Sequence, residues 1–237
     1  MPQEIISGIY QIETRWRLSN AFLIVEDELT LIDTGLNGSQ RHIVRFLNEL
    51  GRSPNEITQI IITHCHLDHA GSVAALKELT GAKIAAHKAE ADYVSKVLPL
   101  PYRKRPAYPM SWALHLLFLR ILNYPGAKVD ILLEDGSVLH PLGGLQVIHT
   151  PGHAPGHICL YSPERRILFP GDLMTVRRSS LALPGNTYAY DLDQAFISLR
   201  KLRGLSVDVL CPSHGNPLTN HATAELEILL NKADRRP

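Results

Sequence analysis

Hydrophobic residues recur along this chain with two periods, and the switches between them mark out its elements. Alternating or continuous apolar runs, the pattern of strands, cover residues 8–13, 19–25, 30–33 and 83–86, and Gln59-Ile60-Ile61-Ile62 reads as a further, buried strand. Helical spacing covers 39–50 and 70–79. The second half repeats that order, with strands at 131–133, 145–149, 157–161 and 166–169, a helix at 192–202, a strand at 207–210 and a closing helix at 222–232. Leu29-Thr30-Leu31-Ile32-Asp33-Thr34-Gly35 and Arg166-Ile167-Leu168-Phe169-Pro170-Gly171-Asp172 share one grammar, an apolar strand ending in an acid beside a glycine. The repetition predicts two similar halves, and the order predicts an α/β fold in which two sheets pack face to face under helices.

Residues 95–127 break this pattern. Pro99, Pro101, Pro106 and Pro109 punctuate the first part, and Ser111 to Leu122 then runs almost uniformly apolar. That run falls short of the about 20 residues that span a bilayer, so no membrane span is expected. Its readings are a lid, a homodimer contact or a helix packed on the core. The whole chain, 1–237, is expected to form a single domain around this insertion, since 237 residues at 45% hydrophobic composition suffice for one sizeable core. A formal net charge of +1 supplies no global field for nucleic acid, so none is expected as a partner. Met1-Pro2-Gln3-Glu4 lacks the basic-then-apolar run of a secretory leader, which points to a cytoplasmic location. Cys65, Cys159 and Cys211 are scattered and odd in number, which argues for small buried residues over a disulfide framework. Cys65 alone stands between metal-competent side chains, where oxidation or capture of a soft metal is open to it.

The strongest chemical signal is Thr63-His64-Cys65-His66-Leu67-Asp68-His69. Three imidazoles and a carboxylate crowd a strand-to-helix loop, and these are transition-metal donors. His64 and His66 are two apart, so an extended backbone aims both rings to one side, while Asp68 and His69 follow the turn. That suits two adjacent metals. Thr150-Pro151-Gly152-His153-Ala154-Pro155-Gly156-His157 follows a strand and holds a Gly/Pro-rich turn, in which His153 is a candidate ligand and His157 a supporting hydrogen-bond partner. Asp172 and His214 each follow a strand and complete the set. Seven donors exceed one tetrahedral zinc but suit two divalent ions sharing Asp172 and a solvent-derived hydroxide. Zinc leads, with manganese, iron and cobalt also compatible with these donors.

In order and spacing, Asp33, His64, His66, Asp68, His69, His153, Asp172 and His214 resemble the motifs of the metallo-β-lactamase superfamily, over most of the chain from Asp33 to Gly215. The resemblance implies an αββα four-layer sandwich with the site at one rim of the sheets. It also implies one metal on His64, His66 and His153, a second on Asp68, His69 and His214, Asp172 between them, and Asp33 orienting the loop from behind. The implied reaction is hydrolysis: a bridging hydroxide attacks, the metals stabilise the oxyanion, and Asp68 or a metal-bound water returns a proton to the leaving group.

Fold alone does not select a substrate. The His-x-His-x-Asp-His-Ala-Gly form resembles lactonases and short glyoxalase II-like hydrolases, which favours a small-molecule lactone or thioester. Thr175 stands where many lactonases of this group carry a tyrosine, and Tyr188 or Tyr190 is the candidate replacement donor. Arg177 and Arg178 are candidates for an acidic group on the substrate, as exposed solvated arginines are the plainer alternative. Phosphodiesterase or β-lactamase activity on the same site is the enzymatic alternative, and a non-catalytic metal-dependent binding module or an iron redox enzyme the more distant ones.

Overall fold

The central strands of this protein are apolar on both faces because they lie between two layers. In the computed structural model, which describes residues 3–101, 123–183 and 189–235, β3 (Asn20–Val25) sends Phe22 and Ile24 one way and Ala21 and Leu23 the other. Strand β5 (Ile57–Ile62) does the same with Ile61 against Ile60 and Ile62. With a side-chain period of two, a run buried on both sides must be hydrophobic at every position.

Among the described residues the first sheet has seven strands in the order β1 to β7, adding β1 (Gln3–Ile6), β2 (Ile9–Glu13), β4 (Leu29–Ile32), β6 (Lys83–His87) and β7 (Ile131–Leu133). Its β1–β4 part is antiparallel and its β4–β7 part parallel. The second sheet has five strands in the order β14-β11-β10-β9-β8, from β8 (Val138–Leu139), β9 (Leu145–His149), β10 (Ile158–Ser162), β11 (Ile167–Phe169) and β14 (Val209–Leu210). A hairpin of β12 (Thr175–Arg177) and β13 (Ser180–Ala182) stands apart.

Between the sheets lies a core of Ile9, Phe22, Ile32 and Ile61 against Val147, Ile158, Leu160 and Phe169. The Phe22 and Phe169 rings meet edge to face at 5.4 Å across it. The outer face of the first sheet packs on helices Gln40–Glu49 and Val73–Thr80 through Ile43, Leu47, Val73 and Leu76. The second is covered by helices Leu192–Leu199 and Ala222–Asp234 through Ala195, Leu199, Leu226 and Leu230. The result is the expected αββα sandwich. No helix among the described residues is long and apolar enough to cross a membrane.

The apolar run from Ser111 to Leu122 lies outside the described residues, whereas Tyr124 and Ala127 at the end of the insertion are buried in the first core. Several predicted boundaries shift for local reasons. Asp33 leaves its strand with φ +59°, and Arg166 occupies the β10–β11 turn with φ +52°. Val207 gives its N–H to the Thr223 hydroxyl at 2.8 Å, outside the sheet ladder, so β14 starts two residues later than the pattern predicts. Asp68 and His69 lie on a one-turn helix, Leu67–Ala70, within the region read as loop.

Candidate metal centre

All seven donors converge at the rim where the strands of both sheets end. His64 and His66 follow β5, His153 follows β9, Asp172 follows β11 and His214 follows β14. Donor atoms of His64, His66 and His153 lie within 4.8 Å of one another, as do those of Asp68, His69 and His214 and those of His64, His69 and Asp172. His66 Nδ1 and His153 Nε2 are 2.9 Å apart. The Asp172 carboxylate stands between the sets: Oδ1 is 3.3 Å from His69 Nε2, and Oδ2 is 3.3 Å from His153 Nε2 and 3.2 Å from His214 Nε2. Asp68 Oδ2 lies 3.5 Å from His214 Nε2 and 3.6 Å from His69 Nε2.

The predicted supporting residues act on these donors. Asp33 is buried; its Oδ1 accepts the Thr63 N–H at 2.8 Å, and its Oδ2 accepts the Thr63 hydroxyl at 2.8 Å and His69 Nδ1–H at 2.9 Å. Because the Thr63 hydroxyl spends its proton on Asp33, its lone pair receives His64 Nδ1–H at 3.1 Å. One carboxylate thus fixes Nδ1 of two imidazoles as the donor, which turns Nε2 of each toward the centre. His157 donates from Nδ1 to the Thr150 hydroxyl at 2.8 Å and accepts the Asp172 N–H at Nε2 at 2.9 Å, so it holds the Asp172 backbone.

Other contributors carry no signal in the local sequence. Asn20 donates from its side-chain amide to the carbonyls of Pro212 and Gly215 at 3.0 and 2.8 Å, bracketing His214. Ser19 donates its hydroxyl to the Asp68 carbonyl at 2.5 Å. Glu90, wholly buried, accepts the N–H groups of Cys65 and Gly156. Gly71 lets the one-turn helix approach the loop after β4; a Cβ there would stand 2.5 Å from Asn37 N and 2.7 Å from Gly35 O.

These surroundings fit divalent cations. His64 Nε2 is buried with no hydrogen-bond partner among the described residues, and His69 Nε2 and Asp172 Oδ1, also buried, face each other at 3.3 Å without a hydrogen bond, a costly arrangement unless a ligand meets them. From the protein's own groups alone, burial drives His64 and His153 well below the usual imidazole range and His66 to about 4, which keeps their lone pairs available. The Asp172 carboxylate instead raises His214 to about 9. At His69 burial opposes the charge, but Asp172, Asp68 and Asp33 outweigh it and lift the group well above its ordinary value. Burial would raise Asp172 itself, yet His214 and His69 hold it well below the carboxylate range. A field that retains protons on two histidines favours a cation in their place.

Of the residues named for substrate contact, Tyr190 is exposed beside the His153 loop, its N–H donating to the His153 carbonyl at 3.1 Å. Arg177 and Arg178 are exposed on the β12–β13 hairpin, which meets the site where Val176 N–H donates to the His214 carbonyl at 3.0 Å. Tyr188 lies outside the described residues. Cys65 is fully buried, and burial followed by the nearby Glu90 pushes its thiol well above the ordinary range, so the exposed, thiolate-rich state that oxidation needs is absent there.

The sequence model of the metallo-beta-lactamase superfamily matches residues 14–214. The chain is 33% identical over 219 residues to the probable metallo-hydrolase YflN of Bacillus subtilis, a match covering 85% of this chain and 81% of that protein. A hydroxyacylglutathione hydrolase of Cereibacter sphaeroides is 33% identical over 159 residues, 67% of this chain and 48% of that protein. Among solved structures, the metallo-beta-lactamase family protein TTHA1429 from Thermus thermophilus aligns with a TM-score of 0.74 at 24% identity, covering 98% of this chain and 81% of that one. Fold, converging donors and a match that runs from the end of β2 to His214 agree, and the chain belongs to the metallo-beta-lactamase superfamily.

Proposed function

We propose that this protein is a dinuclear metal-dependent hydrolase of a small carbonyl ester, with lactone and thioester the leading bond types. The observation that carries this reading is Asp172, whose two oxygens face both donor sets at 3.2 to 3.3 Å. His64, His66 and His153 would hold one cation, Asp68, His69 and His214 the other, and Asp172 would touch both. Zinc is the first choice for this donor mixture. When bound, such a pair of cations acidifies a water toward neutral pH and polarises the oxygen of the bond under attack.

The remaining work falls to the chain itself. Asp33 and Thr63 hold the imidazoles of His64 and His69 in one tautomer, so no reorganisation is needed as the reaction proceeds. His157 fixes the Asp172 backbone. Asp68 is 27% exposed at its side chain, so its carboxyl oxygen is placed to pass a proton to a leaving alkoxide or thiolate at the solvent side. Trp16 and Leu18, 57% and 45% exposed, sit on the β2–β3 loop whose Ser19 binds the Asp68 carbonyl, and they offer an apolar surface for the acyl part. Tyr190 is the proposed phenolic donor, and Arg177 and Arg178 the proposed contacts for an acidic substrate group. The likeness to a hydroxyacylglutathione hydrolase supports the thioester branch of this reading.

The test is a panel of acyl-homoserine lactones, an S-acyl glutathione, a cephalosporin and a bis-aryl phosphate, with metal content measured on the same sample. Turnover of a lactone or thioester, reduced about 1000-fold in Asp172→Ala, is expected. Turnover of the phosphate diester alone would replace the carbonyl reading with a phosphodiesterase. A fully loaded protein inert to all four classes would overturn the reading as stated.

A further inference from the structure

One buried carboxylate is not used by the mechanism above. Glu90 follows β6 in the charged stretch Lys88-Ala89-Glu90-Ala91-Asp92, yet it is 0% exposed. Its Oε2 accepts the Cys65 N–H at 2.7 Å and its Oε1 the Gly156 N–H at 2.6 Å. Cys65 stands between His64 and His66, and Gly156 closes the turn that carries His153. The two oxygens therefore grip the two loops that supply His64, His66 and His153, one loop from each sheet. The approach is built for this contact: a Cβ on residue 156 would stand 2.8 Å from Glu90 Cγ and 2.9 Å from Glu90 N. On its other side the Cys65 peptide is held by the Tyr124 hydroxyl, which donates to the Cys65 carbonyl at 2.7 Å.

We infer that Glu90 is a positioning residue for the His64/His66/His153 metal site, locking the spacing between the two loops through both of its oxygens. The inference rests on the metal reading above and goes beyond it by assigning affinity at one of the two positions to a residue that touches neither metal. A carboxylate suits the task because both of its oxygens accept; a carboxamide of the same shape offers one acceptor and sets an NH2 against the second backbone N–H. Residues orienting ligands from behind typically govern metal affinity by about 10- to 100-fold.

The experiment is Zn2+ titration of the metal-stripped full chain against a chromophoric chelator, for the parent, Glu90→Gln and His214→Ala, with the melting temperature of each stripped protein recorded. The parent is expected to bind in two steps, and His214→Ala identifies the step that belongs to His64, His66 and His153. Glu90→Gln should weaken that step at least about tenfold and leave the other within about twofold. Parent-like affinity in both steps, or equal weakening of both, would overturn the positioning role; the second pattern, with a lowered melting temperature, is what a purely structural residue produces. Should Glu90→Gln not fold, Gly156→Ala must give the same selective loss by pushing the loop off Glu90, and unchanged affinity there overturns the inference. A parent that takes up no Zn2+ would overturn the metal reading itself, an outcome distinct from each of these.

Discussion

The two donor sets differ in their donors and in their surroundings. His64, His66 and His153 are at most 6% exposed and consist of imidazoles alone. Asp68, His69 and His214 include a carboxylate, and the side chains of Asp68 and His214 are 27% and 29% open to solvent. Burial keeps the first set neutral, and Glu90 ties it down from behind, whereas Asp33 serves both sets, reaching His64 through Thr63 and His69 directly. The second set lies in the field of Asp172 and Asp68 and is steadied by Asn20 at the start of β3 and by Ser19 on the loop before it. A sealed inner set suits tight retention, and an open outer set suits access by substrate and proton exchange with solvent.

Deleting one donor from each side separates the two most strongly. His64→Ala should remove the inner cation and lower turnover by about 1000-fold, whereas His214→Ala should retain one tightly held Zn2+ per chain. Metal analysis after dialysis reads this, and equal loss from both variants would erase the distinction. A milder probe acts on the outer set alone. Asn20→Ala frees the carbonyls that bracket His214 and should weaken the outer Zn2+ about tenfold with the inner one unchanged, as followed by chelator competition. Weakening of the inner step would show that the sets are not independently supported.

The smallest effect concerns the scaffold of the inner set. His87, at the end of β6, stacks on His149, at the end of β9, with ring centroids 3.8 Å apart. Burial, reinforced by His149, lowers His87 to about 4. Between that value and the about 6.5 of an exposed imidazole, the unfolded chain binds a proton that the folded chain refuses. Stability from this group is therefore unaffected above about pH 6.5 and falls as the pH drops toward 4. His87→Phe keeps a ring against His149 and should flatten the dependence of melting temperature on pH in that window. An unchanged slope would remove His87 from the acid response.

Much of this was legible in the sequence because its signals are local. The histidine cluster declares itself within seven residues, and Asp33 and Asp172 each close an apolar strand beside a glycine. The two-sheet core followed from the order of strands and helices, repeated in the two halves. Glu90 was illegible because its neighbours are those of a solvated helical turn, and its burial comes from Gly156, on a loop of the other sheet. Asn20 was hidden in the same way, its partners being Pro212 and Gly215 at the far end of the chain. The β12–β13 hairpin escaped because Thr175-Val176-Arg177 and Ser180-Leu181-Ala182 each bury a single residue, Val176 and Leu181, too little apolar pattern to register.

The dispersal of the donors over four separate stretches of chain, 64–69, 153, 172 and 214, reaches beyond catalysis. An unfolded polypeptide offers a cation the local cluster but never the complete set, so binding draws the folding equilibrium toward the native state. For a ligand at about 1000 times its dissociation constant that shift is about 4 kcal/mol per site, comparable with the whole margin of many domains. On the metal reading proposed above, cellular supply of the metal would govern how long each molecule survives proteolysis as well as how fast it works.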